Sequence, residues 1–94
     1  MKATFNVNSY ATVTLTEFGL EILESRWMRF YEQFPNERYL EHFTKRIETI
    51  RENGMEYRDQ MHSIMNTFGE YISIGCKLPF ETEIVLEDLE IVKE

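Results

Sequence analysis

Polar and apolar residues alternate along the first fifteen positions of the chain. From Ala3 to Leu15 the odd positions carry mostly apolar side chains, whereas the even positions are mostly Thr, Asn and Tyr. A period of two predicts a β-strand with one buried and one solvated face. Asn8 and Ser9 interrupt the pattern, which leaves open a bulge, a bend or a turn between two short strands. We favour one long, bent strand.

Downstream, the apolar positions repeat every three or four residues, which is the period of an α-helix. Thr14 and Glu17 fit a capping box at the start of the first helix, with Thr16 as an alternative cap. Pro35 ends this helix, because proline lacks the N–H that a helix interior needs. The apolar stripe of the helix contains Leu20, Leu23, Trp27, Phe30 and Phe34. We expect Trp27 to be buried near the centre of the stripe.

Two further amphipathic helices are predicted. Asn36 caps the second helix, and Asn53 with Gly54 supplies a left-handed stop. The short joint between the first two helices predicts an antiparallel αα-hairpin. The apolar positions of the second helix are Leu40, Phe43, Ile47 and Ile50. A shorter third helix, with Gly69 as its C′ residue, has an apolar side formed by Met61, Ile64, Met65 and Phe68.

The C-terminal part of the chain returns to a period of two. Pro79 places a turn before this segment. Glutamates dominate the odd positions that follow, and the predicted core face consists of Phe80, Thr82, Ile84 and Leu86. Leu89 and Ile91 are candidates to extend this strand, and a short extended piece from Tyr71 to Ile74 is left open.

Together these elements predict an α+β fold. A small antiparallel sheet made of the N- and C-terminal strands packs against the αα-hairpin and the third short helix. The 94 residues suffice for one core, so residues 1–94 are expected to form a single domain. In this fold we assign structural roles to Trp27, Gly69, Pro79 and Phe80.

Composition narrows the class of protein. Hydrophobic residues make up 43% of the chain and charged residues 29%, which is typical of a globular domain. No apolar run approaches the roughly 20 residues needed to cross a bilayer, and the N-terminus lacks the apolar core of a signal peptide. The single cysteine, Cys76, cannot form an internal disulfide and fits a reducing compartment. We therefore expect a soluble, cytoplasmic protein without a membrane partner.

The charge balance indicates which partners are compatible. Seventeen acidic and ten basic residues give a net charge of -7, which disfavours direct binding to nucleic acid and permits a basic partner protein. The acidic excess lies at the C-terminus, where Glu81, Glu83 and Glu87 are candidates for contact with such a partner. Exposed glutamates also protect an edge strand from aggregation, so solubility alone is the competing explanation.

No constellation of catalytic or metal-binding residues stands out. The only nitrogen and sulfur ligands besides the termini are His42, His62 and Cys76, and their surroundings do not form a ligand set. Glu81 and Glu83 could be paired carboxylates, but on a solvated strand face nothing would shift their pKa values. The four glycines form no phosphate-binding loop. We expect no enzymatic activity, no cofactor and no metal.

Both ends of the chain resemble a group of small bacteriophage and prophage proteins of unassigned function. The segment Asn8–Gly19 matches N-x-Y-x-x-V-x-L-T-x-x-G, and Met65–Gly69 with Pro79–Ile84 matches an end of the form L-M-N-x-F-G … P-F-E-T-x-I. His62 and Ile64 stand where that group often has Trp and Leu, and the helical middle is not covered. The resemblance implies a phage accessory protein in the bacterial cytoplasm. Such a protein would bind and inhibit or modulate a host protein, for example an antiviral defence or nucleic-acid-processing factor.

A small-ligand binder is the alternative function. It would sequester a nucleotide signal through aromatic and cationic side chains, in a site between subunits of a homo-oligomer, an oligomeric state that the sequence leaves open. The candidate cations are Arg38, Lys45, Arg46, Arg51 and Arg58.

Overall fold

A computed structural model describes residues 2–72 and 77–92 of the chain and confirms the α+β fold. The helices are α1 (Glu17–Gln33), α2 (Glu37–Glu52) and α3 (Met61–Phe68), the last followed by a short 3-10 turn, Gly69–Tyr71. The strands are β1 (Lys2–Thr4), β2 (Tyr10–Leu15), β3 (Glu56–Gln60), β4 (Phe80–Leu86) and β5 (Glu90–Val92).

The N- and C-terminal strands pair with each other in two separate antiparallel sheets. In the first sheet β1 pairs with β5, and Ala3 lies opposite Ile91. In the second sheet β2 lies at the centre, between β3 and β4, and Val13 lies opposite Ile84. The predicted pairing of the two chain ends is therefore confirmed, and a β-bulge interrupts the β2–β4 ladder between Val13 and Leu15.

The single long N-terminal strand predicted from the alternation is wrong. A turn separates β1 from β2, in which the Ser9 N–H donates to the carbonyl of Asn6 at 2.8 Å. The Asn6 side-chain oxygen also accepts from the Asn8 N–H at 2.8 Å. This local hydrogen bond stabilises a turn in place of an extended strand. Leu89 and Ile91 likewise do not extend β4, because Asp88 adopts a positive φ of 58° and ends the strand.

Strand β3 has no counterpart in the sequence prediction. Its five residues are mostly charged or amide-bearing, and only Tyr57 is buried. The strand pairs with β2 from Tyr10 opposite Gln60 to Thr14 opposite Glu56. Strand β3 is an edge strand whose backbone is paired along one side only, and one apolar residue faces the core. Its sequence therefore shows little of the alternation between apolar and polar residues that predicts a strand.

Local capping signals account for most helix boundaries. Thr16, and not Thr14, caps α1: its Oγ1 accepts from the Gly19 N–H at 3.2 Å, whereas Thr14 belongs to β2. The predicted cap of α2 is confirmed, because Asn36 Oδ1 accepts from the Arg38 N–H at 2.9 Å. Helix α1 ends at Gln33, before Pro35, as predicted.

The two predicted glycine stops have different outcomes. Gly54 has a φ of 73°, and the Met55 N–H donates to the Ile50 carbonyl at 2.8 Å, which closes α2 in the expected left-handed turn. Gly69 has a φ of -57°, so it is not a left-handed stop, and the chain continues from it into the 3-10 turn.

The core lies where the helices cover β2 and β3. Its buried residues are Ala11, Val13, Leu15, Leu20, Leu23, Phe43, Ile47, Ile50, Tyr57, Ile64 and Phe68. Phe80, assigned to the core from the alternation, is half-buried, and its ring meets the Phe68 ring edge-on at 5.8 Å. Ile84 and Leu86, on the predicted core face of β4, are each 37% exposed, because β4 is an edge strand of the sheet.

The predicted stripe of α1 is buried only in its first half. Leu20 and Leu23 are in the core and Trp27 is half-buried against it, whereas Phe30 and Phe34 are 48% and 61% exposed. The expectation that Trp27 is buried is therefore wrong. A helix of 17 residues is about 25 Å long. The residues that α1 contributes to the core all lie in its first seven positions, so the rest of the helix extends beyond the core.

The first turn of α1 lies directly against the chain that enters β4. The Thr16 hydroxyl donates to the Leu78 carbonyl at 2.7 Å, and the Thr16 N–H donates to the Pro79 carbonyl at 3.1 Å. A Cβ atom on Gly19 would lie 1.7 Å from the Pro79 carbonyl oxygen, and Pro79 is itself fully buried. Only glycine at this position permits the contact.

Substituting two helical glycines tests this contact. We expect Gly19→Ala to lower the free energy of unfolding by about 1–3 kcal/mol or more, because α1 and Pro79 must separate. The control, Gly69→Ala, has right-handed dihedral angles and open space around its new methyl group, so it should raise stability by about 0.4–1 kcal/mol. Urea unfolding of both variants measures this, and a Gly19→Ala protein as stable as the wild type would contradict the contact.

Candidate functional site

The outer half of the αα-hairpin forms an arm that extends beyond the core. We define the arm as residues 24–42, none of which is buried. The radius of gyration of the chain is 15.1 Å and its longest extent is 53 Å. A compact chain of this length has a radius of gyration of about 12 Å. No residue of the arm is part of the buried core, so the arm is available to a partner.

A ladder of aromatic rings runs along the arm from its tip to the core. The ring of Phe34 lies 5.2 Å from that of Phe30, which lies 4.9 Å from that of Tyr39. Tyr39 and then Trp27 contact Phe43 in the core, at 5.6 and 6.2 Å. These tilted contacts join α1 to α2 and leave the rings of Phe30 and Phe34 partly open to solvent.

A groove of about 320 Å³ lies beside the arm, between α1, α2 and the 3-10 turn. Four aromatic side chains line it, namely Trp27, Phe30, Tyr39 and Tyr71. Arg26, Arg29 and Glu70 also line it and bring charge to its wall. Within residues 2–72 and 77–92, the ion pairs involve neither of these arginines: they join Arg51 to Glu17 and Arg58 to Glu87.

The cationic side chains that the sequence predicts for a ligand site do not line this groove. Arg46 lies over the Trp27 ring at 5.1 Å and the Tyr57 ring at 5.5 Å, and Arg51 pairs with Glu17 at 3.0 Å. Arg58 pairs with Glu87, and Arg38 and Lys45 are exposed residues of α2 that do not line the groove.

The apolar periodicity of α1 does not single out Arg26 and Arg29, because they lie beside the apolar stripe and not in it. The signal that could have found them is the neighbouring row Ile22, Arg26, Arg29 and Gln33, which is spaced by three and four residues and lines the groove.

The three glutamates predicted to contact a basic partner are not equivalent. Glu81 and Glu83 are exposed, whereas Glu87 accepts two hydrogen bonds from Arg58, at 2.6 and 3.1 Å. The Arg58 guanidinium also lies 4.0 Å from the centre of the Tyr10 ring. The hydrogen bonds from Arg58 hold the pKa of Glu87 below its ordinary value. Glu87 therefore belongs to a local cluster of the sheet. Of the three glutamates, Glu81 and Glu83 form no ion pair within the described part of the chain.

Tyr57 is a buried group with a strongly shifted pKa. Its hydroxyl donates to Asp59 Oδ2 at 2.7 Å, and Asp59 Oδ1 accepts from the Gln60 N–H at 2.7 Å. Burial, followed by the hydrogen bond and the charge of Asp59, raises the pKa of Tyr57 far above its ordinary value. The phenol is buried in the core, so we assign it a structural role.

Potential metal ligands do not converge in the part of the chain that the structure describes. Among these residues no group of three or more His, Cys, Asp or Glu side chains could hold a metal ion. His62 lies 3.0 Å from the Gln60 side-chain oxygen, and His42 is exposed on α2. Cys76 lies outside the described residues. None of the described helices is long and apolar enough to span a membrane.

Comparison with known proteins identifies no relative: no family model, no curated protein and no solved structure matches the chain.

The Tyr57 pKa predicts how stability depends on alkaline pH. Below about pH 10 the phenol is protonated in both the folded and the unfolded state. Above that pH the unfolded state loses the proton while the folded state keeps it, so the free energy of unfolding falls, by at most about 1.4 kcal/mol per pH unit. We expect Tyr57→Phe to flatten this part of the profile. Urea unfolding between about pH 9 and 11 measures it, and equal slopes in both proteins would contradict the assignment.

Proposed function

We propose that this chain is a non-catalytic accessory protein that binds a bacterial host protein and inhibits or modulates it. The observation that supports binding is an excess of exposed surface. The chain exposes 7130 Å². A monomeric protein of 11.3 kDa is expected to expose about 5,700 Å². The excess, about 1,400 Å², exceeds the roughly 800 Å² that one partner contributes to a standard protein–protein interface.

The arm is the part of this surface best suited to recognition. It presents three exposed apolar side chains, Met28, Phe30 and Phe34, next to arginines. Aromatic residues, methionine and arginine are the types enriched at the centres of protein interfaces. Because the aromatic ladder already holds α1 against α2, the arm loses little conformational entropy on binding.

Glu81 and Glu83 support a basic surface on the partner. They are exposed on the edge strand β4 and belong to the acidic C-terminal part of the chain. Complementary charge of this kind accelerates association more than it raises affinity. The bacterial cytoplasm and the phage origin rest on the resemblance of the two chain ends to phage proteins. The non-catalytic character rests on the solvated setting of these carboxylates and on the structural role of Tyr57.

The arm is tested by changing its most exposed ring. We expect tagged Phe34→Ser, expressed in a bacterial host, to lose the protein that copurifies with the wild type. The melting temperature should shift by less than about 4 °C, because the 61% exposed side chain contributes little to the core. Val85→Thr, at a position 64% exposed on β4, is the matched control and should retain the partner. Equal recovery of the partner by both variants would exclude the arm as the contact.

The acidic contact is tested by salt dependence. Glu81→Gln with Glu83→Gln should slow association with the partner and flatten its dependence on ionic strength, because exposed charges act over a Debye length of about 10 Å at 0.1 M salt. Glu48→Gln with Glu52→Gln removes the same charge from α2 and is the control. Surface plasmon resonance at several salt concentrations compares the two pairs. If both pairs change association equally, net charge and not the position of these residues is responsible.

A further inference from the structure

The groove beside the arm combines flat aromatic walls with two guanidinium groups and one carboxylate. We propose that it is a binding site for a nucleoside monophosphate, with the phosphate on Arg26 and Arg29 and the base against the aromatic side chains. This inference does not require the proposed protein partner: the phosphate site is formed by Arg26 and Arg29, whereas the protein contact is tested at Phe34, which does not line the groove.

The size of the groove favours a small ligand. Its volume of about 320 Å³ lies at the lower end of the range for small-molecule sites, about 300–1,000 Å³. Such a site is expected to be largely apolar, with a few polar groups that fix the orientation of the ligand. The half-buried rings of Trp27, Tyr39 and Tyr71 provide the apolar part of this lining. Arg26, Arg29 and Glu70 provide polar groups, and the polar part of the lining is the larger one.

The two arginines favour a phosphate. They lie three residues apart on α1, so they are neighbours on the helix surface. Neither forms an ion pair within the described part of the chain, although the chain as a whole carries a net charge of -7. The planar guanidinium group matches phosphate with two parallel hydrogen bonds. A pair of unpaired arginines at one groove is therefore a local anion site on an acidic protein.

The aromatic side chains and Glu70 favour a nucleobase beside the phosphate. Aromatic side chains stack on any base, because every base has a π-face. Arg46 lies over the Trp27 ring at 5.1 Å, so a base would contact this ring from the side that lines the groove. The Glu70 carboxylate can only accept hydrogen bonds at neutral pH. It therefore repels a phosphate and accepts from base N–H groups, which orients the ligand.

The chain's single tryptophan provides a direct measurement, because Trp27 lines the groove. The probes are AMP, GMP, CMP and UMP, with their four nucleosides and inorganic phosphate as partial ligands. We expect at least one mononucleotide to give a saturable change in Trp27 fluorescence and binding heat by calorimetry. The nucleoside with the same base and phosphate alone should each bind at least about tenfold more weakly than that mononucleotide, because each makes only part of the contacts.

Variants locate the site. Arg26→Gln and Arg29→Gln should each weaken mononucleotide binding by about tenfold, whereas Arg26→Lys should lose less, because it keeps the charge without the planar fork. Arg38→Gln, outside the groove, should bind like the wild type, and so should Phe34→Ser, which separates this site from the protein contact. Circular dichroism verifies that each variant is folded. The proposal is overturned if no mononucleotide binds up to about 5 mM. It is also overturned if the Arg26 and Arg29 variants bind as tightly as the wild type, or if phosphate alone binds as tightly as the mononucleotide.

Discussion

The contact between the first turn of α1 and the residues before β4 connects the two ends of the fold. Thr16 makes two hydrogen bonds, one to the carbonyl of Leu78, 62 positions away in the sequence, and one to the carbonyl of Pro79. Gly19 allows the Pro79 carbonyl to approach closer than any side chain would permit. Because this contact fixes the start of α1, it also fixes the direction in which the helix leaves the sheet. The position of the arm and of its groove therefore depends on a glycine in the first turn of the same helix.

The lengths of the elements explain why the arm is exposed. Helices of 17 and 16 residues pack on a sheet of three short strands, so their outer halves pack mainly against each other. The aromatic ladder from Phe34 to Phe43 provides this packing. A pair of helices has too little contact area to bury such rings completely. No strand or helix covers the outer halves of α1 and α2 in the described part of the chain. Phe30 and Phe34 are therefore exposed, and a groove is left open beside them.

Charge is distributed unevenly over the surface of the molecule. Exposed glutamates lie on β4, whereas Arg26 and Arg29 line the groove. Other arginines are occupied by local partners, as Arg58 is by Glu87 and the Tyr10 ring. A net charge of -7 therefore describes the average surface and not each site. This separation is why a basic partner protein and an anionic ligand are compatible with one acidic chain.

The sequence by itself determined the α+β class, the three helices with the Asn36 cap, the Pro35 and Gly54 ends, and the strand Phe80–Leu86. These features depend on interactions within a few residues, such as a side chain capping a nearby N–H or an apolar period along one element. Only the tertiary structure decided that β3 exists, because its pairing partner β2 is more than forty residues away. It also decided that Trp27 is half-buried, that Glu87 pairs with Arg58, and that Arg26 and Arg29 line a groove. Each of these depends on which distant element covers a side chain, and no local pattern contains that information.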